Sequence, residues 1–476
     1  GTEDASYPFW SPDGNAVGFF NAKKLMRVDV NGSGLQPVAD TTSGRGGVWL
    51  PDGRIVFGSY ADVLRIAPAA GGTAAPFTER AAGEGGHLWP QALPQGRILY
   101  FVPGFNGQKS SAYVISLKNP FARTRLMDVP QSPVYVAGAS GTDYLLWPRG
   151  TALVAQAIYR DTLKLAGPVS ILADPVTSGA IEGQIYVTAS AQGPLIYNGI
   201  PRLSQFTWFD RNGRNLGTVG TPGRYHFGPF RISPDGRSIA ASLDQVGTPQ
   251  MGLLEIARGV FNGLPNSNIN AFPAWAPDST AMAYANRIFH LATASSSQGT
   301  GSPWDWSPDG QEILFRGLID GVRDEIMAQP MNSDHTLAGD RRAFTGGMSA
   351  RFSPDGHWVA FMSNESGDDE VYVAAFPTAL RKVRISTAGG NFPVWSPEGR
   401  EIYYVQPGNK LIAVGLKTAD DSIQPASPHE LFVLQISQTP LYPFDVAKDG
   451  RFLVRADVPQ ASHSLTAIVN WQALVK

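Results

Sequence analysis

One phrase recurs along this chain and limits what it can fold into. It reads FWSPDGNAVGFF from Phe9, FRISPDGRSIAAS from Phe230, WDWSPDGQEILF from Trp304, ARFSPDGHWVAFMS from Ala350 and VWSPEGREIYYV from Val394. Proline presets φ for the second position of a β-turn, aspartate bonds nearby backbone N–H groups, and glycine takes the φ > 0 position that ends the turn. Aromatic or β-branched residues precede the turn. An alternating apolar run such as Glu312-Ile313-Leu314-Phe315 follows it, the pattern of two short antiparallel strands.

A second hairpin pattern follows each phrase, as in LMRVDVNGSGLQPVAD from Leu25, VLRIAPAAGGTAAPFT from Val63 and EVYVAAFPTALRKVRIS from Glu370. The repeating unit therefore holds about four short strands. The turn glycine, or the residue in its place, falls at Gly14, Gly53, Gly96, Gly141, Gly193, Gly236, Ser279, Gly310, Gly356, Gly399 and Gly450. Gly53 to Gly96, Gly193 to Gly236 and Gly356 to Gly399 are each 43 residues apart, the period of a four-stranded propeller blade. The units at Gly141 and Gly193 lack the Pro-Asp pair and rest on strand pattern alone. Trp10, Trp49, Trp275, Trp306 and Trp395 all stand two residues before the turn proline or its equivalent, where a large ring packs between neighbouring sheets.

Eleven units exceed the four to eight blades usual for one ring. The expected fold is therefore all-β, two tandem β-propellers of four-stranded blades divided near residue 222, where GTPGRYHFGPF is rich in turn formers. Residues 1–222 form a five- or six-bladed propeller and residues 223–476 a six-bladed one. The abundance of turn formers, 52 Gly and 37 Pro, suits this reading, and a formal net charge of -2 without a basic run leaves no nucleic-acid footprint. There is no cysteine, so disulfides, thiolate metal sites and a cysteine nucleophile are excluded. No apolar run is long enough to span a bilayer, so no direct membrane insertion by this segment is expected. Any export signal or anchor is expected outside this sequence.

Motifs for chemistry are sparse. NGSGL from Asn31 and AGASGT from Ala137 miss the G-x-S-x-G spacing, and the seven histidines show no H-E-x-x-H or H-x-H pairing. The acidic run NESGDDE, Asn364 to Glu370, lacks the order of an EF-hand loop and reads as a solvated hairpin turn. No catalytic residue, metal ligand or cofactor is assigned. Acids gathered from different blades into a channel mouth leave a hydrolase or lyase open as the alternative.

The phrases FWSPDG, RISPDG, WAPDS and FSPDG...SNESGDDEVYV resemble the PD40, TolB-like β-propeller repeats. With FTWFDRNGRNLGTVG from Phe206 and the closing AIVNWQALVK, the ordered set is similar to the C-terminal propeller region of membrane-anchored serine/threonine kinases common among acidobacteria. That resemblance implies an extracytoplasmic, periplasmic or cell-surface, sensor tethered through a membrane helix outside this sequence. It also implies a further blade ahead of the first phrase, so that the chain opens inside the first ring. No Gly-rich loop with its strand lysine, H-R-D or D-F-G occurs here. The expected function is a ligand-sensing or protein-interaction module for a small molecule, glycan, peptide or protein partner. A TolB-like periplasmic scaffold is the third reading.

Two places are candidates for ligand contact. The loop GEGGHLWPQ, Gly83 to Gln91, combines open backbone with His87, Trp89 and Gln91. The second lies at the position three residues before the turn proline, which is uncharged through the first half but reads Arg231, Ala274, Asp305, Arg351, Val394 and Asp445 through the second. Trp304 adjoins Asp305 in this set. Charges on innermost strands are costly unless paired or wet. Six-blade closure is expected to pair Asp305 with Arg351 and Asp445 with Arg231, within about 4 Å or through water, in a polar channel suited to an anionic or zwitterionic ligand.

Overall fold

The computed structural model describes residues 2, 5–21, 24–41, 43–60, 62–81, 84–104, 109–138, 141–176, 183–190, 193–199, 203–225, 228–244, 249–265, 267, 272–299, 301–319, 323–419, 422–436, 442–459 and 465–475. They form eleven antiparallel sheets, one for each turn marker. The only helix among them is a single 3-10 turn, Trp471–Leu474, and none is long and apolar enough to cross a membrane.

The repeated phrase folds as its chemistry requires. In the third blade of the second unit, Ser307 Oγ donates to Asp309 Oδ1 (2.6 Å) and accepts the Glu312 N–H (2.9 Å), while Asp309 Oδ1 also accepts the Gln311 N–H (3.0 Å). Gly310 closes the turn at φ 77°, in the left-handed region that favours glycine. The same serine and aspartate bonds recur at Ser11 and Asp13 and at Ser233 and Asp235.

The chain divides into two compact units, Gly1–Pro201 with Ala461–Lys476, and Arg202–Gln460. The division expected near 222 is corrected at both ends. The strand Asn215–Gly223 pairs with Ser204–Phe209, which pairs in turn with Phe452–Asp457 next to Phe444–Val446. One blade of the second propeller is thus built from both ends of its unit, which closes the ring and removes its free edges. The terminal strand Thr466–Ile468 pairs instead with Leu195–Tyr197 of the first unit, and Trp471 is buried there against Tyr144. Local turn chemistry carries no sign of such long-range pairing.

Among the described residues the first propeller has five blades, whose innermost strands are Ser6–Trp10, Gly44–Trp49, Leu88–Leu93, Val134–Val136 and Val187–Ala189. The second has six, led by Arg231–Ile232, Ala274–Trp275, Pro303–Trp306, Met348–Phe352, Asn391–Trp395 and Phe444–Val446. Phe444–Val446 lies against both Asn391–Trp395 and Arg231–Ile232, so this ring is closed. Two of the five recurrent tryptophans staple blade to blade, while the indole of Trp306 donates to the Gly310 carbonyl within its own turn (3.1 Å). Trp275 and Trp395 are buried, and their indole N–H groups donate to the carbonyls of Arg231 and Arg351 on the preceding blade (3.2 and 3.1 Å). Trp10, at the same position in the first blade of the first unit, is 65% exposed.

Candidate functional site

In the second propeller the four charged residues converge. Arg231 is 4% exposed, and Arg351 and Asp445 are also buried. Asp305 keeps 20% of its side chain in contact with solvent. Arg351 lies between the two carboxylates, its guanidinium 3.6 Å from Asp305 Oδ1 and 3.2 Å from Asp445 Oδ1. The second oxygen of each aspartate accepts a backbone N–H from the next blade, Phe352 for Asp305 and Ile232 for Asp445, both at 2.9 Å. These two equivalent bonds across successive blades confirm that Phe444–Val446 neighbours Arg231–Ile232 around a closed ring.

The pairing of Asp305 with Arg351 is as expected; that of Asp445 with Arg231 is not. Asp445 directs one oxygen to backbone and the other to Arg351, past the blade that carries the uncharged Val394. Arg231 has no ion-pair partner among the described residues. It reaches past the Ala274 blade to donate to the Trp304 carbonyl (3.4 Å), and to its neighbour Phe230 (3.2 Å). Its guanidinium lies 4.2 Å over the ring of Tyr442, and that of Arg351 lies 5.1 Å from the same ring. The aromatic face supplies the negative partner that a carboxylate does not.

Burial dominates the electrostatics. It holds Arg231 down to about 10, with Arg351 adding repulsion, against attraction from Tyr442 and the two aspartates. It also pushes the Asp305 carboxyl and the Tyr442 phenol upward. Around the axis, Arg231 Nε, Arg351 Nε and Trp304 Nε1 are buried with no hydrogen-bond partner among the described residues, and the buried Tyr442 and Ser349 hydroxyls have only each other. The two arginine Nε groups and the indole can only donate, and the oxygens of Asp305 and Asp445 beside them are already engaged, so the layer is short of acceptors. Trp304 and Phe272 meet edge to face at 5.0 Å, and Phe392 packs on Tyr442 at 5.4 Å, giving the polar layer an aromatic border.

In the first propeller the expected loop residues take separate roles. Gln91 bridges to the fourth blade, its amide donating to the Pro133 carbonyl (2.6 Å) and accepting the Tyr135 N–H (3.0 Å). This is the same staple that Asp305 and Asp445 make. Trp89 is half-buried at φ 55° and meets Tyr7 edge to face at 5.1 Å. His87 is fully buried, bonded through Nδ1 to Thr78 Oγ1 (2.7 Å), with Nε2 3.7 Å from Glu84. The loop therefore does not gather its three side chains at one exposed place.

Two participants were not legible in the sequence. Tyr442 lies outside the repeated phrase, three residues before Asp445, and Ser349 carries no signal of its own. Both adopt left-handed backbone, at φ 50° and 59°, which no composition rule anticipates for tyrosine. In the acidic run, Glu370 is buried, not solvated, and accepts from Arg384 and Ser386. Among the described residues no group of three or more His, Asp or Glu is arranged to hold a metal ion.

Strand pairing and this buried layer define the class: an all-β protein of two tandem propellers, the second with a charged cluster on its axis. No family model matches the chain. Over 105 residues, 21% of this chain and 34% of the relative, it is 30% identical to an uncharacterized protein of Agrobacterium fabrum. The chain thus spans about a third of the length of the curated relative it matches. Among solved structures it is similar to a putative TolB from Agrobacterium tumefaciens, with 20% identity and a TM-score of 0.41 over 54% of this chain and 99% of that one. It is also similar to TolB from Acinetobacter baumannii, with 14% identity and a TM-score of 0.36 over 60% of this chain and 81% of that one.

Proposed function

We propose that this chain is a non-catalytic sensing module whose second propeller receives a small ligand bearing a carboxylate or a similar oxygen-rich group. The observation that carries this reading is the set of donors without partners around Tyr442. A buried donor left unpaired costs about 1–3 kcal/mol, and two buried arginines add a desolvation cost that ordinary blade packing does not require. An oxygen acceptor among them would relieve both. The resemblance carried by FTWFDRNGRNLGTVG and the closing AIVNWQALVK extends the proposal to an extracytoplasmic sensor of a receptor kinase.

A second reading, a hydrolase or lyase, draws on the upward-shifted and partly exposed Asp305 carboxyl, because a carboxylic acid kept protonated can serve as a general acid. A thermal-shift screen of small carboxylates and amino acids, with every hit assayed for turnover, separates the two. Stabilisation without turnover supports the sensor. Turnover that disappears in Asp305→Asn supports the enzyme.

A further inference from the structure

The first propeller holds a second place with the features of a binding site. A cavity of about 230 Å³ lies between its second and third blades and is lined by Thr78, Glu79, Arg80, Tyr100, Phe121 and Arg123, among others. Thr78 and Arg80 follow the outermost strand of the second blade, Ala75–Pro76. Tyr100 comes from Arg97–Val102, and Pro120, Phe121 and Arg123 from Asn119–Asp128, the outermost strand of the third. This is smaller than the roughly 300–1,000 Å³ of drug-sized sites, so only a compact ligand fits.

The polar wall is held rigidly from behind. Thr78 Oγ1 accepts the Leu64 N–H (3.0 Å) and is hydrogen-bonded to His87 Nδ1 (2.7 Å). The other ring nitrogen, His87 Nε2, faces the Glu84 carboxylate at 3.7 Å. Glu84 in turn takes both terminal nitrogens of Arg123 (2.8 and 2.6 Å), and the guanidinium lies 4.5 Å over the Tyr113 ring. The Thr78 hydroxyl is bonded to both Leu64 and His87, which makes it a framework group. Beside this fixed guanidinium, Tyr100 is completely buried; Arg123 can only donate to its phenol oxygen, so the phenol proton has no acceptor among the described residues. Phe121, 57% exposed, and Pro120 give the cavity an apolar rim.

We infer that this cavity binds a small ligand with a planar carboxyl or carboxamide group on an apolar body, the phenol of Tyr100 and the outer N–H groups of Arg123 meeting the oxygen and Phe121 covering the body. Glu84 already balances the charge of Arg123, so the acceptor oxygen matters more than net charge. The site is independent of the axial layer of the second propeller.

Titration calorimetry of the full chain with benzoate, benzamide and inorganic phosphate tests the inference. Saturable binding of benzoate or benzamide, weakened roughly tenfold or more by Tyr100→Phe, is the expected result. Phenylalanine keeps the ring and removes only a buried hydroxyl whose proton has no acceptor, so this variant is expected to fold and to melt within a few degrees of the parent. No saturable binding of either aromatic probe overturns the inference. Equal binding by parent and Tyr100→Phe overturns it too, because it places the probe elsewhere, the axial layer included. Phosphate binding tighter than benzoate would contradict the assigned ligand class.

Discussion

The Asp445 carboxylate reaches the Arg351 guanidinium at 3.2 Å from two blades away, while its other oxygen is bonded at 2.9 Å to the backbone beside Arg231. One side chain therefore ties three blades of the second propeller together and sets the arrangement of its axis. Arg351 needs both of its aspartates, and Arg231 is left to an aromatic face and to carbonyls.

Removing Asp445 leaves Arg351 with one carboxylate and Ile232 with an unanswered N–H. Asp445→Ala is expected to destabilise the second propeller by about 3–5 kcal/mol, the usual result of breaking a buried ion pair on one side. Asp445→Asn keeps an acceptor for Ile232 and should lose less. Urea unfolding followed by tryptophan fluorescence gives both values. Equal, negligible effects would show that the cluster does not hold the ring.

The tryptophan staples give a contrast within one sequence position. Trp395 is 7% exposed and bonded to the Arg351 carbonyl, whereas Trp10 is 65% exposed. Trp395→Ala should cost about 3–5 kcal/mol. Trp10→Ala should fall within about 0.5 kcal/mol of the parent. The same denaturant series checks the pair.

Acid should weaken the first propeller in two stages. Burial holds His87 below its usual 6.5, so below that pH the unfolded chain binds a proton that folded His87 refuses, and stability falls. Glu84, bonded to Arg123 and facing His87 despite its burial, is held well below its usual 4.5, and its contribution is lost as pH drops below that value. Melting temperatures measured from about pH 7.5 down to about pH 3 should show both stages. His87→Gln should remove the first and leave the second.

The fold was largely legible because each blade writes its own local signature. Ser307, Asp309 and Gly310 make bonds that span only five residues, so their spacing reports the hairpin directly. The closing blades were not legible, since the pairing of Thr207 with Val454 and of Ile196 with Ala467 joins residues hundreds of positions apart. At the axis, Arg231, Asp305, Arg351 and Asp445 were found by register alone. Their partners were not, because Tyr442 and Ser349 enter on left-handed backbone ahead of the recurring phrase. The loop around His87 offered residue types suited to a ligand, but burial turned His87 into a framework group behind the cavity wall.

Arg231→Met tests the central claim most directly, because it separates function from stability. Burial lowers Arg231 from 12.5 to about 10, an opposing term of about 3 kcal/mol. That penalty is fully present at neutral pH and fades only as pH rises from about 10 toward 12.5. Methionine of similar length removes the charge, so the variant should melt no lower than the parent. Calorimetry with succinate, glutamate and glycine should show at least one of them binding the parent saturably, with that binding lost in Arg231→Met. Undiminished binding by Arg231→Met, or no binding of any of the three by the parent, would contradict an axial site for an oxygen-rich ligand.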